Sequence, residues 1–417
     1  MAADRGYPPV ILVGVESPIG LAIVRELGRR GIEVHGLATS PAAIGLASRF
    51  LRRGYVRGGP LDLQLRTIAA DSGAQFVMTV SMHDSIAVRE AADRHALGSL
   101  RPLLPPLDKL HLVNDKFEIC RIATTVGIAT PQIWEPRHSG TNAIPDDLKF
   151  PLVLKWRDPE LVYSALDALG IPTLKFEYVY SRDDLTSILE RYRPIGRWPM
   201  VQSFAPGYGL GQMFLMHRGR ALLRFQHRRI AEWPPEGGAS TECESVALAE
   251  HHELMERSEE LLRTIGWEGP AMVEYRYDPA TDTATLMEIN GRFWGSLPLA
   301  SAAGIDFGWG TYAALGLDAD PRQPNYRSGV RCRYMVPHTR RLLRILFRPD
   351  LIANRDLRFG RTRALASYVA GFLRPSGRYY VFSPFDPGPF IADLRGILAK
   401  AMRRVRLRMN RGGARSS

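Results

Sequence analysis

The sequence predicts a mixed α/β and α+β protein in three parts. A doubly wound parallel-sheet domain is expected over residues 1–110, a larger body over 111–325, and a basic, partly helical extension over 326–417. Strands and helices alternate in the first part, paired strands with short turns fill the second, and arginine alternates with apolar residues in the third. A chain of 417 residues is long enough for two or three domains.

The first part alternates short apolar strands with helical segments. Residues 10–15 form a continuous apolar run, as expected for a strand buried on both faces of a parallel sheet. A helical pattern runs from Leu21 to Arg30, Gly31 ends it, and residues 32–37 and 75–80 predict two further strands. This β-α-β-α order predicts a doubly wound parallel sheet.

The loop after the first strand does not predict nicotinamide binding. It carries Gly14 and Gly20 without the G-x-G-x-x-G spacing, and His35 stands near the end of the second strand where an acid is usual. Glu16, Ser17 and Asp84 lie in loops that follow strands and are expected to face an acceptor substrate. Asp84 can equally be a helix cap.

A second predicted feature is a hairpin over residues 271–290. Side chains alternate along a strand, so Glu288 and Asn290 share a face, and folding the hairpin brings Glu274 opposite or diagonal to Glu288. Two carboxylates and an amide oxygen form an oxygen cage that suits Mg²⁺. Arg292 follows, and its planar guanidinium suits a phosphate or a carboxylate. The alternative is a solvated hairpin with two unrelated acids.

This cluster resembles the ATP-grasp superfamily, in particular its carboxylate–amine and carboxylate–thiol ligase-like members, whose ATP-binding fold is that of the carbamoyl-phosphate synthase large chain. The resemblance covers roughly residues 10–310. It implies that Mg-ATP binds between two α+β subdomains and that Glu274, Glu288 and Asn290 hold Mg²⁺ (or Mn²⁺). It also implies a Rossmann-like domain in front of the ATP-grasp body, without a nicotinamide.

Two lysines are candidate ligands of the ATP phosphates. Lys116 opens a helix predicted to end near Val126, and Lys155 lies in the apolar strand at 150–156, where a lysine without an anionic partner is costly. The resemblance implies that both reach the nucleotide. For Lys116, an ordinary helix start with the lysine in solvent is the alternative.

An adenine-binding hinge is expected where the strand at 199–203 ends. An extended segment offers a backbone donor and acceptor side by side, as adenine requires, and the resemblance assigns the hinge to Gln202, Ser203, Phe204 and Ala205. The glycines at 207–211 are otherwise plain turn residues. Related enzymes carry a glycine-rich phosphate lid after the Lys155 strand; residues 157–170 are poor in glycine, so no lid residue is predicted.

A further hairpin is predicted over residues 212–229, with its turn at Arg218 and Gly219. Its second strand ends in a basic cluster that precedes a Gly-Gly-Ala-Ser-Thr loop. Arg229 and Ser240 are the predicted contacts to phosphate or substrate. A solvated loop with exposed arginines is the alternative.

The predicted function is an ADP-forming ligase. A substrate carboxylate attacks ATP to give an acyl-phosphate, and an amine or thiol then displaces phosphate; the predicted catalytic residues are Arg292, Lys155 and Arg229. A non-catalytic, ATP-binding scaffold protein associated peripherally with a membrane is the alternative, which the missing lid favours. An NAD(P)-dependent oxidoreductase is a third, weakened by the absent glycine fingerprint.

The positive charge belongs to the end of the chain. The net charge is +12, and residues 331–417 contain 20 Lys and Arg against four Asp, which leaves the preceding residues acidic. Basic amphipathic runs at 340–348 and 398–408 suit an anionic membrane surface or are arginine-bearing helix faces in solvent. No aromatic stacking platform accompanies them, so nucleic acid is not expected. The expected partners are small carboxylate and amine substrates and a second copy of the chain as a homodimer.

Cysteine usage and apolar patterning give an expected location. Cys120, Cys243 and Cys332 are odd in number and scattered, which predicts neither a disulfide framework nor a CxxC metal site. The N-terminus has too few apolar residues for a signal peptide, and no apolar run reaches the ~18–20 residues that span a bilayer. A cytoplasmic protein is expected, with the C-terminus as the candidate for peripheral attachment to the inner face of the membrane.

Overall fold

The structure is a computed structural model that describes residues 6–136, 144–157, 162–172, 174, 176–352, 354 and 358–413. Within these, side chains are described except at 163, 400, 401 and 403–413. Packing of the Cα atoms divides the chain into two compact units. One unit contains Met1–Leu107, Arg292–Tyr326 and Arg378–Ser417, and the other contains Asp108–Gly291 and Arg327–Gly377.

The strands within the described residues are β1 Val10–Val13, β2 Val34–Ala38, β3 Arg53–Val56, β4 Phe76–Thr79, β5 Arg101–Pro102, β6 Ile133–Trp134, β7 Leu152–Lys155, β8 Glu177–Val179, β9 Met200–Ser203, β10 Tyr208–His217, β11 Arg220–Trp233, β12 Ala239–Val246, β13 Gly269–Asp278, β14 Thr283–Asn290, β15 Arg331–Arg333 and β16 Gly377–Tyr379. The α-helices are α1 Pro18–Gly28, α2 Leu61–Ser72, α3 Met82–Asp93, α4 Leu107–Asn114, α5 Lys116–Thr125, α6 Tyr163–Ala168, α7 Arg182–Arg191, α8 His252–Thr264, α9 Leu297–Ala303, α10 Phe307–Thr311, α11 Met335–Phe347, α12 Arg361–Ala370 and α13 Gly388–Gly413.

The first unit contains the predicted parallel sheet. Five strands lie in the order β3-β2-β1-β4-β5, and β1 pairs in parallel with both β2 and β4. Every residue of β1 is buried, as its unbroken apolar run predicted. Ser17 caps α1 by accepting a hydrogen bond from the amide of Gly20 at 3.2 Å. The predicted parallel sheet, with helices between its strands, is therefore confirmed for this part.

A buried ion pair fixes the C-terminal segment within the first unit. Arg25 on α1 lies with its Nε 2.9 Å from Oδ2 of Asp386, and Ser48 donates to the same carboxylate oxygen at 2.7 Å. The main-chain amide of Arg49 donates to Oδ1 at 3.0 Å. Residues 326–417, expected as one extension, are thus divided between the two units, with 378–417 in the first.

The second unit is built on two sheets. In one sheet its strands have the order β14-β13-β10-β11-β12-β15, and a four-stranded sheet has the order β6-β9-β7-β8. Alternation along β7 buries Leu152 and Leu154 in a core with Val179, Leu185 and Leu189, while the residues between them face the other side.

Both predicted hairpins are present. Strands β10 and β11 turn at Arg218 and Gly219, each with positive φ, and β13 and β14 turn just before Thr283 at Asp282, which also has positive φ. The basic run 340–348 falls largely in α11, and the run 398–408 falls in α13, where most of its side chains lie outside the described residues. None of the helices described is long and apolar enough to cross a membrane.

Candidate active site

The two sheets of the second unit face a common pocket. From the four-stranded sheet and the residues beside it, the pocket is lined by Lys155, Phe176, Tyr178 and the segment Gln202–Ala205; from the other side it is lined by Arg229, Glu232, Glu236, Glu274, Arg276 and Glu288. Lys116 at the start of α5 also lines it. Nine of the twelve residues predicted from the sequence therefore lie around one pocket: Lys116, Lys155, Gln202, Ser203, Phe204, Ala205, Arg229, Glu274 and Glu288.

The acidic end of the pocket is the β13–β14 hairpin. Glu274 is the register partner of Glu288, as the hairpin prediction required. The amide nitrogen of Asn290 lies 3.5 Å from Oε2 of Glu274 and 3.3 Å from Oε1 of Glu288. The amide side chain therefore bridges the two carboxylates, and the three predicted metal ligands form one cluster.

Each of the two carboxylates also contacts a cation. Nη2 of Arg229 lies 2.5 Å from Oε2 of Glu274, and Nζ of Lys116 lies 3.4 Å from Oε2 of Glu288. The Arg229 and Glu274 side chains are 11% and 14% exposed, so their contact is shielded from solvent. The negative charges of Glu274 and Glu288 are therefore neutralised by Arg229 on β11 and by Lys116 on α5.

Arg229 is the centre of the charged network. Its Nη1 lies 3.0 Å from Oε1 of Glu232 and donates to the carbonyl of Gly238 at 3.2 Å, while Arg276 contacts the other oxygen of Glu232 at 3.4 Å. Burial alone lowers the pKa of an arginine, but the carboxylates of Glu274 and Glu232 outweigh it and raise the pKa of Arg229. Arg229 therefore remains charged.

Lys155 and Lys116 place positive charge in the same region. Lys155 ends β7 and is half-buried on the pocket side, because Leu152 and Leu154 alternate with it into the core. The pKa of the Cys120 thiol is raised to about 11 by burial, and both lysines act on it in the opposite direction. Both ammonium groups therefore lie close enough to Cys120 to influence its titration.

The predicted hinge continues a central strand of the four-stranded sheet. Strand β9 pairs with β6 on one side and β7 on the other, and Phe204 and Ala205 follow its last residue along the pocket. Gln202 is 2% exposed, and within the described residues its Nε2 has no hydrogen-bond partner. A buried donor of this kind, in a pocket wall, is available to a ligand.

Sequence reasoning missed the aromatic wall of the pocket. The rings of Phe176 and Tyr178 lie 5.4 Å apart, and that of Tyr178 lies 6.1 Å from Phe204. The Tyr178 hydroxyl donates to the main-chain carbonyl of Glu236 at 2.8 Å. Phe176 directly precedes β8 and Tyr178 lies on it, and this spacing of two residues in an extended segment is a signal that places both rings on one face.

Acidic residues of the β11–β12 connection were also missed. Glu232 and Glu236 line the pocket, and Oε2 of Glu236 is buried with no hydrogen-bond partner in the described part of the chain. Gly237 and Gly238 line it as well. The glycine-poor segment at 157–170 includes residues 158–161, which lie outside the described residues.

Three predicted site residues do not line the pocket. Asn290 contacts Glu274 and Glu288, which line the pocket, so it lies next to the pocket wall. Ser240 is the ladder partner of Glu232 on β12, so it neighbours a pocket residue without lining the pocket itself. Arg292 belongs to the first unit, where its Nη1 donates to the carbonyl of Phe293 at 2.8 Å. The expected contacts of Ser240 and Arg292 with phosphate stay predictions.

The donor set fits Mg²⁺ that is shared with a ligand. No group of three or more His, Cys, Asp or Glu residues able to hold a metal exists within the described residues. A metal here would take oxygen from Glu274, Glu288 and the Asn290 amide, and fill its remaining positions with water or phosphate oxygens, as Mg²⁺ does in phosphate-handling sites. Rotating the Asn290 amide by half a turn presents its oxygen in place of its nitrogen.

Comparison with known proteins identifies the fold. No family model matches the sequence, and no curated protein matches it. The structure is similar to biotin carboxylase from Campylobacter jejuni, in a β-γ-ATP complex, with a TM-score of 0.61 and 14% identity over 79% of this chain and 75% of that one. This is an ATP-grasp fold.

Two further ATP-grasp structures are similar. L-amino acid ligase from Bacillus licheniformis has a TM-score of 0.55 and 17% identity, over 75% of this chain and 75% of that one. The biotin carboxylase domain of 2-oxoglutarate carboxylase from Hydrogenobacter thermophilus, in complex with MgADP and bicarbonate, has a TM-score of 0.59 and 12% identity, over 77% and 73%. At identities this low, the structural similarity establishes the ATP-grasp fold alone.

Proposed function

We propose that this protein is an ATP-dependent ligase that activates a substrate carboxylate as an acyl-phosphate and joins it to an amine or a thiol, releasing ADP and phosphate. The observation that carries the proposal is the convergence on one pocket of the Glu274–Glu288 pair with Lys116, Lys155 and Arg229. Acids for a metal and cations for phosphates in one pocket are the parts that phosphoryl transfer requires.

The described walls fit a nucleotide. The rings of Phe176 and Tyr178 suit the faces of a purine, and the segment Gln202–Ala205 supplies the strand end whose main chain suits its polar edge. Placing the base there directs the phosphates toward the two lysines and the β13–β14 hairpin. MgADP in the similar 2-oxoglutarate carboxylase domain supports the same choice of ligand.

The residues of this chain would act by positioning and by charge. Mg²⁺, when bound by Glu274, Glu288 and Asn290, would neutralise phosphate charge. Lys155 and Arg229 would orient the γ-phosphoryl group while a carboxylate oxygen of the substrate attacks its phosphorus and the bond to the β,γ-bridging oxygen breaks. Arg292 is proposed from the sequence as a further stabilising group.

The second half-reaction forms the new bond. The nitrogen or sulfur of the acceptor attacks the acyl carbon, the acceptor loses a proton, and inorganic phosphate leaves. The similarity to an L-amino acid ligase favours an amine acceptor over a thiol. Excluding water from the pocket would protect the acyl-phosphate from hydrolysis.

A ligand-induced stability shift followed by turnover tests the proposal. We expect Mg²⁺-dependent stabilisation by ATP in thermal unfolding, and ADP release on screening carboxylates with amines. Glu288→Gln is expected to lose both, while Glu253→Gln, an exposed residue on α8, keeps both. No effect of ATP on the unfolding temperature would overturn the proposal. Stabilisation without ADP release for any acid and amine would support the non-catalytic scaffold instead.

A further inference from the structure

A second cavity in the same unit carries a concentration of arginines. It has a volume of about 250 Å³ and lies beside α11 and α12. Arg341, Arg358 and Arg363 line it, and it shares no lining residue with the nucleotide pocket. Three guanidinium groups around one cavity require an explanation, since like charges repel at close range.

The cavity's own acid does not neutralise these arginines. Among the described residues that line it, Glu242 is the one carboxylate. Its Oε1 lies 2.9 Å from Nε of Arg333, and both side chains are almost fully buried. The charge of Glu242 is therefore already matched by an arginine that does not line the cavity.

None of the three arginines forms an ion pair with an acid in the part of the chain that the structure describes, although Glu232 and Glu242 act on Arg341 at longer range. Arg358 and Arg363 are exposed and have no carboxylate within ion-pair distance among the described residues. The guanidinium of Arg341 lies 5.0 Å from the ring centroid of Phe359, and within the same residues its Nε is buried with no hydrogen-bond partner. The described lining of the cavity therefore carries three arginines against one carboxylate, and that carboxylate is ion-paired elsewhere.

The start of helix α12 adds main-chain donors to this charge. Gly360 is the N-cap of α12, has no side chain to cap it, and lines the cavity. The first helical hydrogen bond runs from the amide of Ala364 to the Gly360 carbonyl at 2.9 Å, and the first turn contains no acid. The preceding amides have no partner within the helix, and the helix dipole makes this end attractive to anions.

We propose that this cavity is a second ligand site, which binds a phosphate-bearing anion. A planar guanidinium can donate two parallel hydrogen bonds to phosphate oxygens. Ser367 and Tyr368 also line the cavity, and their neutral hydroxyls do not repel a phosphate. The anion is either a free phosphate compound or the headgroup of a lipid. Exposed apolar side chains on both helices favour the lipid headgroup, because such side chains can insert into a membrane surface. They are Leu343 and Phe347 on α11 and Leu365 on α12.

The site is distinct from the nucleotide pocket but adjoins it through β11. Arg229 and Glu232 of this strand line the nucleotide pocket, while the intervening Ile230 and Ala231 line the second cavity. A phosphate bound by Arg341 is therefore not a phosphate of the nucleotide. The electrostatic influence of Glu232 on Arg341 links the two sites, because Glu232 also pairs with Arg229.

Calorimetric titration of the full chain with inorganic phosphate tests the proposal. We expect Arg358→Gln with Arg363→Gln to weaken phosphate binding about 10-fold or more, whereas Arg340→Gln with Arg374→Gln, an equal loss of charge at exposed positions outside the cavity, changes it less than about 2-fold. Lys155→Ala should leave this binding in place, which separates it from phosphate in the nucleotide pocket. Arg341→Gln, checked by thermal unfolding for intact folding, should weaken it as well.

Vesicles distinguish the two sources of the anion. Cosedimentation with phosphatidylcholine vesicles that contain phosphatidic acid, and with phosphatidylcholine alone, is measured for the same variants. A loss of inorganic phosphate binding in Arg358→Gln with Arg363→Gln, but not in Arg340→Gln with Arg374→Gln, supports the proposal with a free phosphate compound as the anion. The same pattern in binding to the anionic vesicles supports it with a lipid headgroup as the anion. No binding of either probe, or equal losses in the two pairs, overturns it.

Discussion

Arg229 and Glu274 meet across an intervening strand. Arg229 lies on β11 and Glu274 on β13, with β10 between them in the sheet, yet Nη2 of Arg229 is 2.5 Å from Oε2 of Glu274. The arginine side chain crosses β10 over Gly209: a Cβ added to this glycine would lie 2.5 Å from Cδ of Arg229. The ion pair between Arg229 and Glu274 therefore requires glycine at position 209.

Removing the Arg229 charge is expected to destabilise the protein. Arg229→Gln leaves Glu274 and Glu232 largely buried with less compensation, and breaking a buried pair in this way costs about 3 kcal/mol. The free energy of unfolding is measured by urea titration. Arg228→Gln is the matched control: its pair with Glu244 is 44% exposed on the arginine side, so a loss of about 0–1 kcal/mol is expected. Equal losses in the two variants would contradict the central role of Arg229.

Adding one methyl group at Gly209 is expected to disturb the same ion pair. Gly209→Ala forces the Arg229 side chain away from its path over β10, at a cost of about 1–3 kcal/mol for an overpacked site. Mg²⁺-dependent ATP binding should weaken in parallel. Gly58→Ala serves as control, because a Cβ there meets open space and the backbone does not need positive φ. Wild-type stability and ATP binding in Gly209→Ala would show that the arginine does not need this path.

The sequence predicts those parts of the site that follow from local pattern. Alternation and turn chemistry place Glu274 opposite Glu288, and an apolar strand with one lysine places Lys155 at the pocket. Both depend on residues close together in the chain, so a period of two is enough to orient them.

Other parts depend on packing between distant segments. Arg229 reaches Glu274 across a third strand, and the aromatic wall at Phe176 meets Gly237 from the β11–β12 connection, where a Cβ would lie 3.4 Å from the ring. The ion pair between Arg25 and Asp386 joins residues far apart in the chain, which is why residues 378–417 belong to the first unit. No local periodicity encodes such contacts.

The aromatic wall gives a test of the adenine position. Tyr178→Ala removes a ring that we expect to stack on the base, and a base–aromatic contact is worth about 1–3 kcal/mol, so the Kd for ATP should rise about 5-fold or more. Tyr178→Phe keeps the ring and loses the hydrogen bond to Glu236, and should change the Kd far less. Calorimetry with Mg-ATP measures both. If the two variants bind ATP equally, the base does not lie on this wall.

Two buried histidines make stability sensitive to mild acid. Burial is the main cause that lowers the pKa of His227 and of His338 to about 3. The positive charge of Arg229 also lowers the pKa of His227. The charges of Arg333 and Arg341 also lower the pKa of His338. In the unfolded chain both titrate near the ordinary 6.5. Between these values each of the two histidines binds more protons in the unfolded state than in the folded state. The stabilisation is therefore complete above about pH 6.5 and is lost as the pH falls.

Each histidine is expected to lower the free energy of unfolding by at most about 1.4 kcal/mol per pH unit below about pH 6.5. Urea unfolding between about pH 7.5 and about pH 5 measures this slope. His338→Gln should reduce the slope, because glutamine does not titrate and can still bond to Thr241, whose Oγ1 lies 3.0 Å from Nδ1 of His338. Replacing the exposed His252 by glutamine should leave the slope unchanged. An equal slope in the wild type and in His338→Gln would show that His338 takes up its proton without unfolding; this comparison cancels the opposite contribution of Glu26, whose pKa burial raises to about 8.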